Sequence, residues 1–323
     1  MWKGVDMTDR EPLSIRISLT DRCQLRCRYC PPATASSRDD QCLSASDWVI
    51  RLTALSRVTP ISKIRFTGGE PLLYPELLDL VAGCSRLGIP DVALTTNGIQ
   101  LEALAAPLQD AGLHRVNISL DSVRPETYRK ITGAGLAPTL RGVAAAKRAG
   151  LGIKLNAVLL RGLNADEAPD LLAFAIREGH EIRFLEKMPI GDVSGKDPLF
   201  VPAAEVLASL VRAGIALEAL PRTPGETSAL YRVRLPGGGA GLCGVIQPVS
   251  APFCDGCRRL RLNSAGEWLG CLGRPERVGR ASAFAAAMSG DLAPLRQALE
   301  EALALKDRPH AFSSQRTLRV IGG

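Results

Sequence analysis

A regular alternation of strand-like and helix-like segments runs from residue 14 to about residue 188 and constrains the fold more than any other feature. Short segments rich in β-branched and other apolar residues are separated by longer amphipathic or Ala/Leu-rich segments, a repetition typical of parallel βα units. Strands are predicted at 14–20, 63–67, 92–96, 115–121, 153–160 and 181–187. Helices are predicted at 46–58, 75–87, 101–111, 139–149 and 165–178.

Several predicted strands carry one apolar and one polar face. In the first strand Ile15 and Ile17 oppose Arg16, and three other strands alternate in the same way. Parallel strands that are covered on both faces are apolar nearly throughout. If the βα units wrap into a barrel, the polar faces line a lumen that holds Arg16, Arg65 and Lys154, a cationic cavity suited to a polyphosphate. An open sheet with one solvated face is the alternative.

The composition of the chain changes after Pro221. Segments rich in Pro and Gly at 221–227 and 236–241 indicate loops. A terminal helix is predicted at 291–305, with Asp291 as its N-cap. We therefore divide the chain into a first domain at 1–221 and a smaller C-terminal region at 222–323.

Composition limits the class of protein. A chain of 323 residues, 46% of them hydrophobic, can bury a sizeable core. It has no apolar run long enough to span a membrane and no signal-peptide core, so we expect a cytoplasmic protein with no membrane partner. The net charge of +7 suits an anionic partner, but only 4% of the residues are aromatic, so we expect no nucleic acid. Nine cysteines then indicate metal or redox chemistry.

Three cysteines lie close together directly after the first predicted strand. Cys23, Cys27 and Cys30 have the spacing C-x3-C-x2-C. Three thiolates can hold three corners of a [4Fe–4S] cluster and leave the fourth iron open to a substrate. On spacing alone, a zinc ribbon that pairs Cys27 and Cys30 with two cysteines of the C-terminal region is an equal alternative.

A second group of three cysteines, Cys254, Cys257 and Cys271, lies in the C-terminal region. Two triplets favour two iron–sulfur clusters, because a zinc ribbon would use two cysteines of each triplet and give the third cysteine no role as a ligand. Arg259 and Arg261 follow Cys257 and point the same way in an extended segment. Both guanidinium groups can then hydrogen-bond to phosphate oxygens, for which their planar geometry is well matched.

Two glycine-containing turns end predicted strands. Gly68 and Gly69 precede Glu70 after the second strand, and Thr-Thr-Asn-Gly at 95–98 closes the third. Glycines let a ligand approach the backbone and leave amide donors exposed, and Glu70 suits an ammonium group. Both turns lie where α/β proteins bind ligands. The terminal Gly322 and Gly323 form either a disordered tail or one that reaches into a site.

These motifs resemble known families. The first triplet, with Tyr29 before Cys30, and the later Gly-Gly-Glu-Pro resemble the radical S-adenosylmethionine (SAM) superfamily. Within it, the chain resembles the GTP 3',8-cyclase (MoaA) family of molybdenum cofactor biosynthesis. The matching segments are Arg-Ile-Ser-Leu-Thr-Asp-Arg-Cys, Arg-Phe-Thr-Gly-Gly-Glu-Pro-Leu, Val-Asn-Ile-Ser-Leu-Asp-Ser, Lys-Met-Pro-Ile-Gly, Pro-Val-Ser-Ala-Pro-Phe-Cys-Asp-Gly-Cys-Arg-Arg-Leu-Arg-Leu and the final Gly-Gly.

The resemblance implies an α/β fold, an incomplete (β/α)6 TIM-like barrel whose open side is covered by the C-terminal region. It implies that the first triplet holds a [4Fe–4S] cluster that binds and cleaves SAM, and that the second holds a [4Fe–4S] cluster that binds guanine. The positions matching SAM contacts are Tyr29, Gly69, Glu70, Ser119 and Met188. The positions matching GTP contacts are Arg16, Arg65, Thr95, Lys154, Arg259, Leu260 and Arg261. The positions expected to act in catalysis are Arg16, Arg259, Arg261, Gly322 and Gly323.

The implied reaction needs one electron to cleave SAM into methionine and a 5'-deoxyadenosyl radical. That radical takes a hydrogen atom from C3' of GTP, and the C3' radical then adds to guanine C8. A further electron and a proton convert the cyclised radical to (8S)-3',8-cyclo-7,8-dihydroguanosine 5'-triphosphate. The implied partners are GTP, an electron donor such as flavodoxin or ferredoxin, and cyclic pyranopterin monophosphate synthase as the next enzyme. The chain is expected to be a monomer or a homodimer.

The chain departs from the family pattern at Pro31 and Lys187, which would change the packing around SAM, and 197–241 is less recognisable. Two other functions compete with the cyclase. One is a peptide-modifying radical SAM enzyme with an auxiliary cluster, and the other is a zinc-ribbon protein that binds nucleic acid.

Overall fold

The computed structural model describes residues 12–30, 42–190, 197–222, 226–254, 257–269, 271 and 281–304. The strands in these ranges are β1 (Leu13–Ser18), β2 (Ile61–Thr67), β3 (Val92–Thr96), β4 (Arg115–Ser119), β5 (Gly152–Val158), β6 (Glu181–Leu185), β7 (Ala216–Ala219), β8 (Ala229–Arg234), β9 (Ala240–Ile246), β10 (Arg259–Leu262) and β11 (Trp268–Leu269). The helices are α1 (Ala45–Ser56), α2 (Leu77–Arg86), α3 (Leu101–Asp110), α4 (Pro125–Thr132), α5 (Ala137–Arg148), α6 (Ala168–Glu178), α7 (Ala203–Arg212), α8 (Ala281–Met288) and α9 (Ala293–Ala304). Short 3-10 turns occupy Pro71–Leu73 and Ala165–Glu167.

All of the described strands belong to one mostly parallel sheet, in the order β11-β10-β1-β2-β3-β4-β5-β6-β9-β8-β7. Strands β1 to β6 are parallel neighbours in chain order, and β10 beside β1 and β9 beside β6 continue the parallel set. The remaining strands β11, β8 and β7 are antiparallel to their neighbours. The sheet does not close on itself. The C-terminal chain therefore extends both edges of the βα array.

The six predicted strands of the first region are confirmed, with ends that differ by a few residues. β4 ends at Ser119 and β6 at Leu185, earlier than predicted, although the Leu120 and Glu186 amides still bond the neighbouring strands β5 and β9. The loop predicted at 236–241 is wrong at its end, since β9 begins at Ala240. The structure also adds α4, α7, α8 and the strands β7 to β11, for which the sequence made no prediction.

The core lies between the outer face of the sheet and the helices. Ile15, Ile17 and Ile64 have no exposed surface, and Trp48 of α1 packs with them in the same cluster. Ser44 caps α1 by accepting a bond from the amide of Asp47, whose carboxylate accepts one from the Ser44 amide. This packing confirms the predicted apolar faces and leaves the polar faces of the same strands on the inner side.

No helix in the described ranges combines the length and the apolar character that a membrane crossing requires.

Candidate active site

A cavity opens on the inner face of the sheet, at the carboxyl ends of the parallel strands. Each of the first six strands contributes the residues that follow it, as α/β folds with parallel strands generally do. The residues from these strand ends that line the cavity are Cys23, Cys27 and Cys30 after β1, Gly68, Gly69 and Glu70 after β2, Asn97 after β3, Asp121 after β4, Val158 at the end of β5, and Glu186, Lys187 and Met188 after β6. The prediction of a lumen rather than a solvated open sheet is supported by this cavity.

The first cysteine loop lies against α4 and the end of β3. The amides of Arg26 and Arg28 donate to the carbonyls of Thr132 and Ile131, both at 2.9 Å. The sulfur of Cys23 accepts a bond from the Leu25 amide at 3.4 Å. These contacts hold the loop so that all three of its thiols border one cavity.

The glycine pair after β2 packs on the start of the cysteine loop. The Gly69 amide donates to Thr20 O at 2.6 Å, and the Glu70 amide donates to Arg22 O at 2.7 Å. A Cβ atom on Gly69 would lie 2.2 Å from Arg22 O, so only glycine fits there. The Gly69 amide is therefore not the exposed ligand donor that the sequence predicted, because it is used to hold the cysteine loop.

Glu70 joins the same assembly to the end of β3. Its carboxylate accepts bonds from Thr96 Oγ1 at 2.7 Å, the Asn97 amide at 2.8 Å and the Leu72 amide at 3.0 Å. Burial raises the pKa of Glu70 to about 7, and these donors oppose that rise. Glu70 thus fixes the strand ends around the cavity, in addition to facing it.

Tyr29 and Asp121 connect the cysteine loop to the far side of the barrel. The Tyr29 hydroxyl donates to Asp121 Oδ2 at 2.9 Å, and the Val158 amide donates to Asp121 Oδ1 at 2.9 Å. Burial raises the pKa of Asp121 to about 6. Asp121 was not predicted as a site residue, although its place directly after a strand was a usable signal.

The first cysteine triplet presents three thiols to one cavity, as an iron–sulfur cluster with an open iron requires. Burial, and then Asp121, Cys30 and Cys23 nearby, raise the pKa of Cys27, so three thiolates here need a positive partner. In the part of the chain that the structure describes, no three Cys, His, Asp or Glu side chains converge as the ligands of one metal ion would. The thiols instead surround a cavity, which an iron–sulfur cluster with an open iron can occupy.

The inner face of the sheet carries a row of arginines. The strand register sets Arg261 beside Arg16 and Arg16 beside Arg65, on three adjacent strands. In-register neighbours in a parallel pair point to the same face. Arg16 and Arg65 line the cavity, and neither forms a salt bridge with a described carboxylate.

The burial of these cations is unfavourable unless negative charge lies close to them. Burial, followed by Arg261 and then Arg65, lowers the pKa of Arg16 well below its usual value. Burial, followed by Arg115 and Arg183, lowers the pKa of Arg65 to about 9, which still leaves it cationic at neutral pH. An anion in the cavity would relieve both the burial and the mutual repulsion.

The neighbouring cations of the inner face are paired. Lys154 donates to Glu181 at 2.7 Å, and Arg183 donates to the same carboxylate at 2.6 Å. Lys154 thus lies on the predicted face but outside the cavity lining. Lys63 and Arg183 were not predicted as site residues, although Lys63 lies on the polar face of its strand.

The second cysteine group lies near the arginine row, because β10, which follows Cys257, pairs with β1. Cys257 lies next to the strand and acts electrostatically on both Arg16 and Arg261, and Cys271 acts on Arg261. The Arg259 guanidinium stacks over the Phe253 ring at 5.1 Å. Leu260 differs from its neighbours, since its side chain is fully buried in the core. Any contact between Leu260 and a nucleotide would involve its main chain.

Glu186 ties the loop that precedes Cys254 to the barrel. Its carboxylate accepts bonds from the amides of Val249 at 3.1 Å, Ser250 at 2.9 Å and Ala203 at 3.0 Å, and from the Ser250 hydroxyl. Only 3% of its surface is exposed. Sequence analysis missed this residue, because its partners are remote in the chain.

The other predicted site residues divide between the cavity and the undescribed ranges. Thr95, Ser119 and Met188 line the cavity with Tyr29, Gly69 and Glu70. Gly322 and Gly323, like Pro31, lie outside the described residues.

Comparison with known families and proteins gives consistent matches along the chain. The Radical SAM superfamily matches residues 17–175, and Molybdenum Cofactor Synthesis C matches residues 180–312. The chain is 37% identical to the GTP 3',8-cyclase of Paenarthrobacter nicotinovorans over 99% of this chain and 96% of that protein. It is 39% identical to that of Streptomyces coelicolor over the same shares, and 42% identical to that of Acidothermus cellulolyticus over 83% of this chain and 76% of that protein.

Solved structures share the fold at lower identity. Streptococcus suis SuiB bound to S-adenosylmethionine superposes with a TM-score of 0.61 at 16% identity, over 88% of this chain and 68% of that chain.

Proposed function

The chain belongs to the GTP 3',8-cyclase family within the radical SAM superfamily, and from this membership we propose that it converts GTP to (8S)-3',8-cyclo-7,8-dihydroguanosine 5'-triphosphate. This is the first step of molybdenum cofactor biosynthesis. The observation that carries the proposal is the row Arg261, Arg16 and Arg65 on the inner face, where Arg16 and Arg65 share a cavity with the first cysteine triplet and Arg16 lies near Cys257. A triphosphate is the kind of ligand that such a row requires.

The residues present fit the cofactors of this family, two [4Fe–4S] clusters and SAM. Cys23, Cys27 and Cys30 would hold the first cluster, and the residues that would contact SAM are Tyr29, Gly69, Glu70, Ser119 and Met188. Cys254, Cys257 and Cys271 would hold the second cluster. When bound, the first cluster and SAM supply the one-electron chemistry that generates an organic radical.

The protein's own task is to position GTP and exclude water. We propose that the residues contacting GTP are Arg16, Arg65, Thr95, Lys154, Arg259, Leu260 and Arg261. Guanidinium groups from three neighbouring strands can hold the triphosphate at several oxygens, so that the ribose is fixed relative to the SAM side of the cavity. Arg16, Arg259, Arg261 and the terminal glycines Gly322 and Gly323 are proposed to act in catalysis.

We also propose the setting of the reaction. The electron donor is a flavodoxin or ferredoxin, the next enzyme is the cyclic pyranopterin monophosphate synthase, and the chain works in the cytoplasm as a monomer or homodimer. Nine thiols and oxygen-sensitive clusters suit a reducing compartment. The division into 1–221 and 222–323 separates the segment carrying the first triplet from the one carrying the second.

The experiment that tests the function is an anaerobic assay with reconstituted clusters, dithionite, SAM and GTP. Mass spectrometry should detect 5'-deoxyadenosine together with a cyclised nucleotide isomeric with GTP. 5'-Deoxyadenosine alone would keep the radical SAM chemistry and reject GTP as the substrate.

A variant separates the two cysteine groups. Cys254→Ala should abolish the cyclised product while part of the SAM cleavage survives, because the first cluster keeps its ligands. Complete loss of SAM binding in this variant would contradict the assignment of two separate clusters. The peptide-modifying alternative is not favoured, since the relatives that match nearly the whole chain are GTP 3',8-cyclases and residues 180–312 match Molybdenum Cofactor Synthesis C. Membership of this family also argues against the zinc-ribbon alternative.

A further inference from the structure

A cluster of exposed basic side chains surrounds the first cysteine triplet on the outside of the molecule. We call it the basic rim and define it as Arg22, Arg26, Arg28, Arg129 and Lys130, all of which are exposed. The first three lie in the cysteine loop and the last two on α4. The bonds from the Arg26 and Arg28 amides to Thr132 and Ile131 bring the two segments together. The rim is therefore one surface, although its parts are far apart in the chain.

The rim has a clear excess of positive charge. The acidic residues in the same two segments are Asp21, which is half-buried, and Glu126. Arg124, next to α4, forms an ion pair with Asp170 at 2.6 Å and lies outside the rim as defined. A large field of one sign on a surface steers molecules of opposite charge.

The rim also lies where an electron must enter. Cys23, Cys27 and Cys30 are partly exposed, and the exposed Arg22, Arg26 and Arg28 alternate with them in the same loop. A group held by these thiols would therefore lie next to residues of the rim.

We propose that the basic rim is the docking surface for an acidic one-electron carrier protein. The proposal rests on the proposed function, because reductive cleavage of SAM consumes one electron for each turnover. The carrier is oxidised by one electron, the cluster held by the first triplet is reduced by one electron, and no atom is transferred. Transient redox complexes have small interfaces and depend on charge complementarity, which five cations on two adjoining segments provide.

The test measures binding as well as electron transfer. A purified acidic flavodoxin is titrated into the reconstituted enzyme at low and at high ionic strength. The variant Arg129→Glu/Lys130→Glu, which changes α4 and leaves the cysteine loop intact, should bind about tenfold more weakly at low salt and lose most of the salt dependence. Arg26→Glu should shift affinity in the same direction. Arg212→Glu, an exposed charge reversal at the end of α7, is the matched control and should bind like the wild type.

A second readout separates docking from cluster integrity. Reduction of the first cluster by reduced flavodoxin, followed by stopped-flow absorbance, should slow by a similar factor in the α4 variant, while reduction by dithionite keeps its wild-type rate. Unchanged flavodoxin affinity and unchanged flavodoxin-driven rate in the α4 variant would overturn the proposal. Equal weakening by Arg212→Glu would also overturn it, because the effect would then reflect net charge alone.

Failure of the docking proposal and failure of the proposed function give different results. If dithionite, SAM and GTP yield no cyclised nucleotide, the function fails, but flavodoxin binding and cluster reduction still test the rim. If cyclisation proceeds with dithionite and the α4 variant binds flavodoxin normally, only the docking surface is wrong.

Discussion

At the scale of single residues, the site depends on cations that are buried before any ligand arrives. Arg16 and Arg65 lie side by side on β1 and β2, where burial lowers the pKa of both. Placing like charges together out of water destabilises the folded chain. A bound polyphosphate would supply the opposite charge and remove this cost. The same pair of arginines therefore destabilises the ligand-free protein and favours binding of the substrate.

Lys63 should make the binding of GTP depend on pH. It lies on the same face of β2 as Arg65, in register with Ser14 of β1, and donates to Asp91 at 3.0 Å. Burial, followed by Arg115 and Arg65, lowers the pKa of Lys63 to about 8. Because the lowered pKa removes positive charge as the pH rises through 8, the KM for GTP should increase about three- to tenfold between pH 7 and pH 9.

The control for Lys63 keeps the charge. Lys63→Arg should reduce the rise in KM, because a guanidinium at this position keeps its charge to a higher pH than the Lys63 ammonium. The part of the rise that comes from Arg65, whose pKa is about 9, should remain. Steady-state kinetics with GTP and SAM varied separately would test this, since the KM for SAM should not follow the same curve. An identical KM profile for GTP in both proteins would contradict the role of Lys63.

At the scale of elements, the loops after successive strands hold one another. Gly69 donates to Thr20, Glu70 accepts from Asn97, and Asp121 joins Tyr29 to Val158. These contacts use backbone groups that would otherwise be unpaired in a buried place. The loops at the strand ends therefore hold one another in place. They position three cysteines in a loop that has no helix or strand of its own.

Gly69→Ala tests this arrangement. The new Cβ would lie 2.2 Å from Arg22 O and 2.5 Å from Asp21 O, so the cysteine loop must shift. We expect the reconstituted protein to lose about half of its iron and all SAM cleavage, with the second cluster retained. Iron content and visible absorbance measure the loss, and far-UV circular dichroism checks that the barrel is folded.

The matched control is Gly237→Ala, because a Cβ there meets nothing within 4 Å. It should keep its full iron content. Full iron content and normal SAM cleavage in Gly69→Ala would show that the close packing of the two loops is not needed.

Glu186 links the second cluster's loop to β6 and α7. Glu186→Gln leaves at least one of the Val249, Ser250 and Ala203 amides without an acceptor, a loss of about 1–3 kcal/mol. We expect cyclisation to fall at least about tenfold while SAM cleavage continues, so the ratio of 5'-deoxyadenosine to cyclised nucleotide rises.

Glu205→Gln on α7, the helix whose Ala203 amide donates to Glu186, is the control for Glu186. It removes only an exposed ion pair with Arg161 and should leave the product ratio unchanged. If Glu186→Gln slows both products equally, the residue supports stability and does not position the second cluster.

At the scale of the whole molecule, the C-terminal chain completes the sheet. β10 pairs with β1 and β9 with β6, so neither end of the βα array is an edge in the full chain. Leu260, Leu262 and Val245 are buried through these pairings. A sheet that loses such neighbours exposes unpaired backbone and apolar surface.

Truncation tests this dependence. A chain of residues 1–222 should aggregate or unfold, because β1 and β6 would both become exposed edges. A chain of residues 1–304 keeps every described strand and helix and should remain monodisperse in size-exclusion chromatography. A folded, monodisperse 1–222 fragment would show that the barrel is stable without the C-terminal region.

The sequence determined the parts of this protein whose signals lie close together in the chain. The alternation of Ile15 and Ile17 with Arg16 predicted both the strand and its two faces, because side chains of a strand alternate over adjacent residues. The spacing of Cys23, Cys27 and Cys30 likewise places three thiols on one short loop. In both cases the physical cause is local geometry, which a few neighbouring residues dictate.

Tertiary structure alone decided which distant residues meet. The pairing of β10 with β1 sets Arg261 and Cys257 beside Arg16, and Glu186 finds its partners at Val249 and Ser250. The structure also uses the Gly69 amide inside the protein, where the sequence predicted an exposed donor. Such pairings follow from burying the apolar faces and satisfying the backbone of the whole chain at once, so no local pattern contains them.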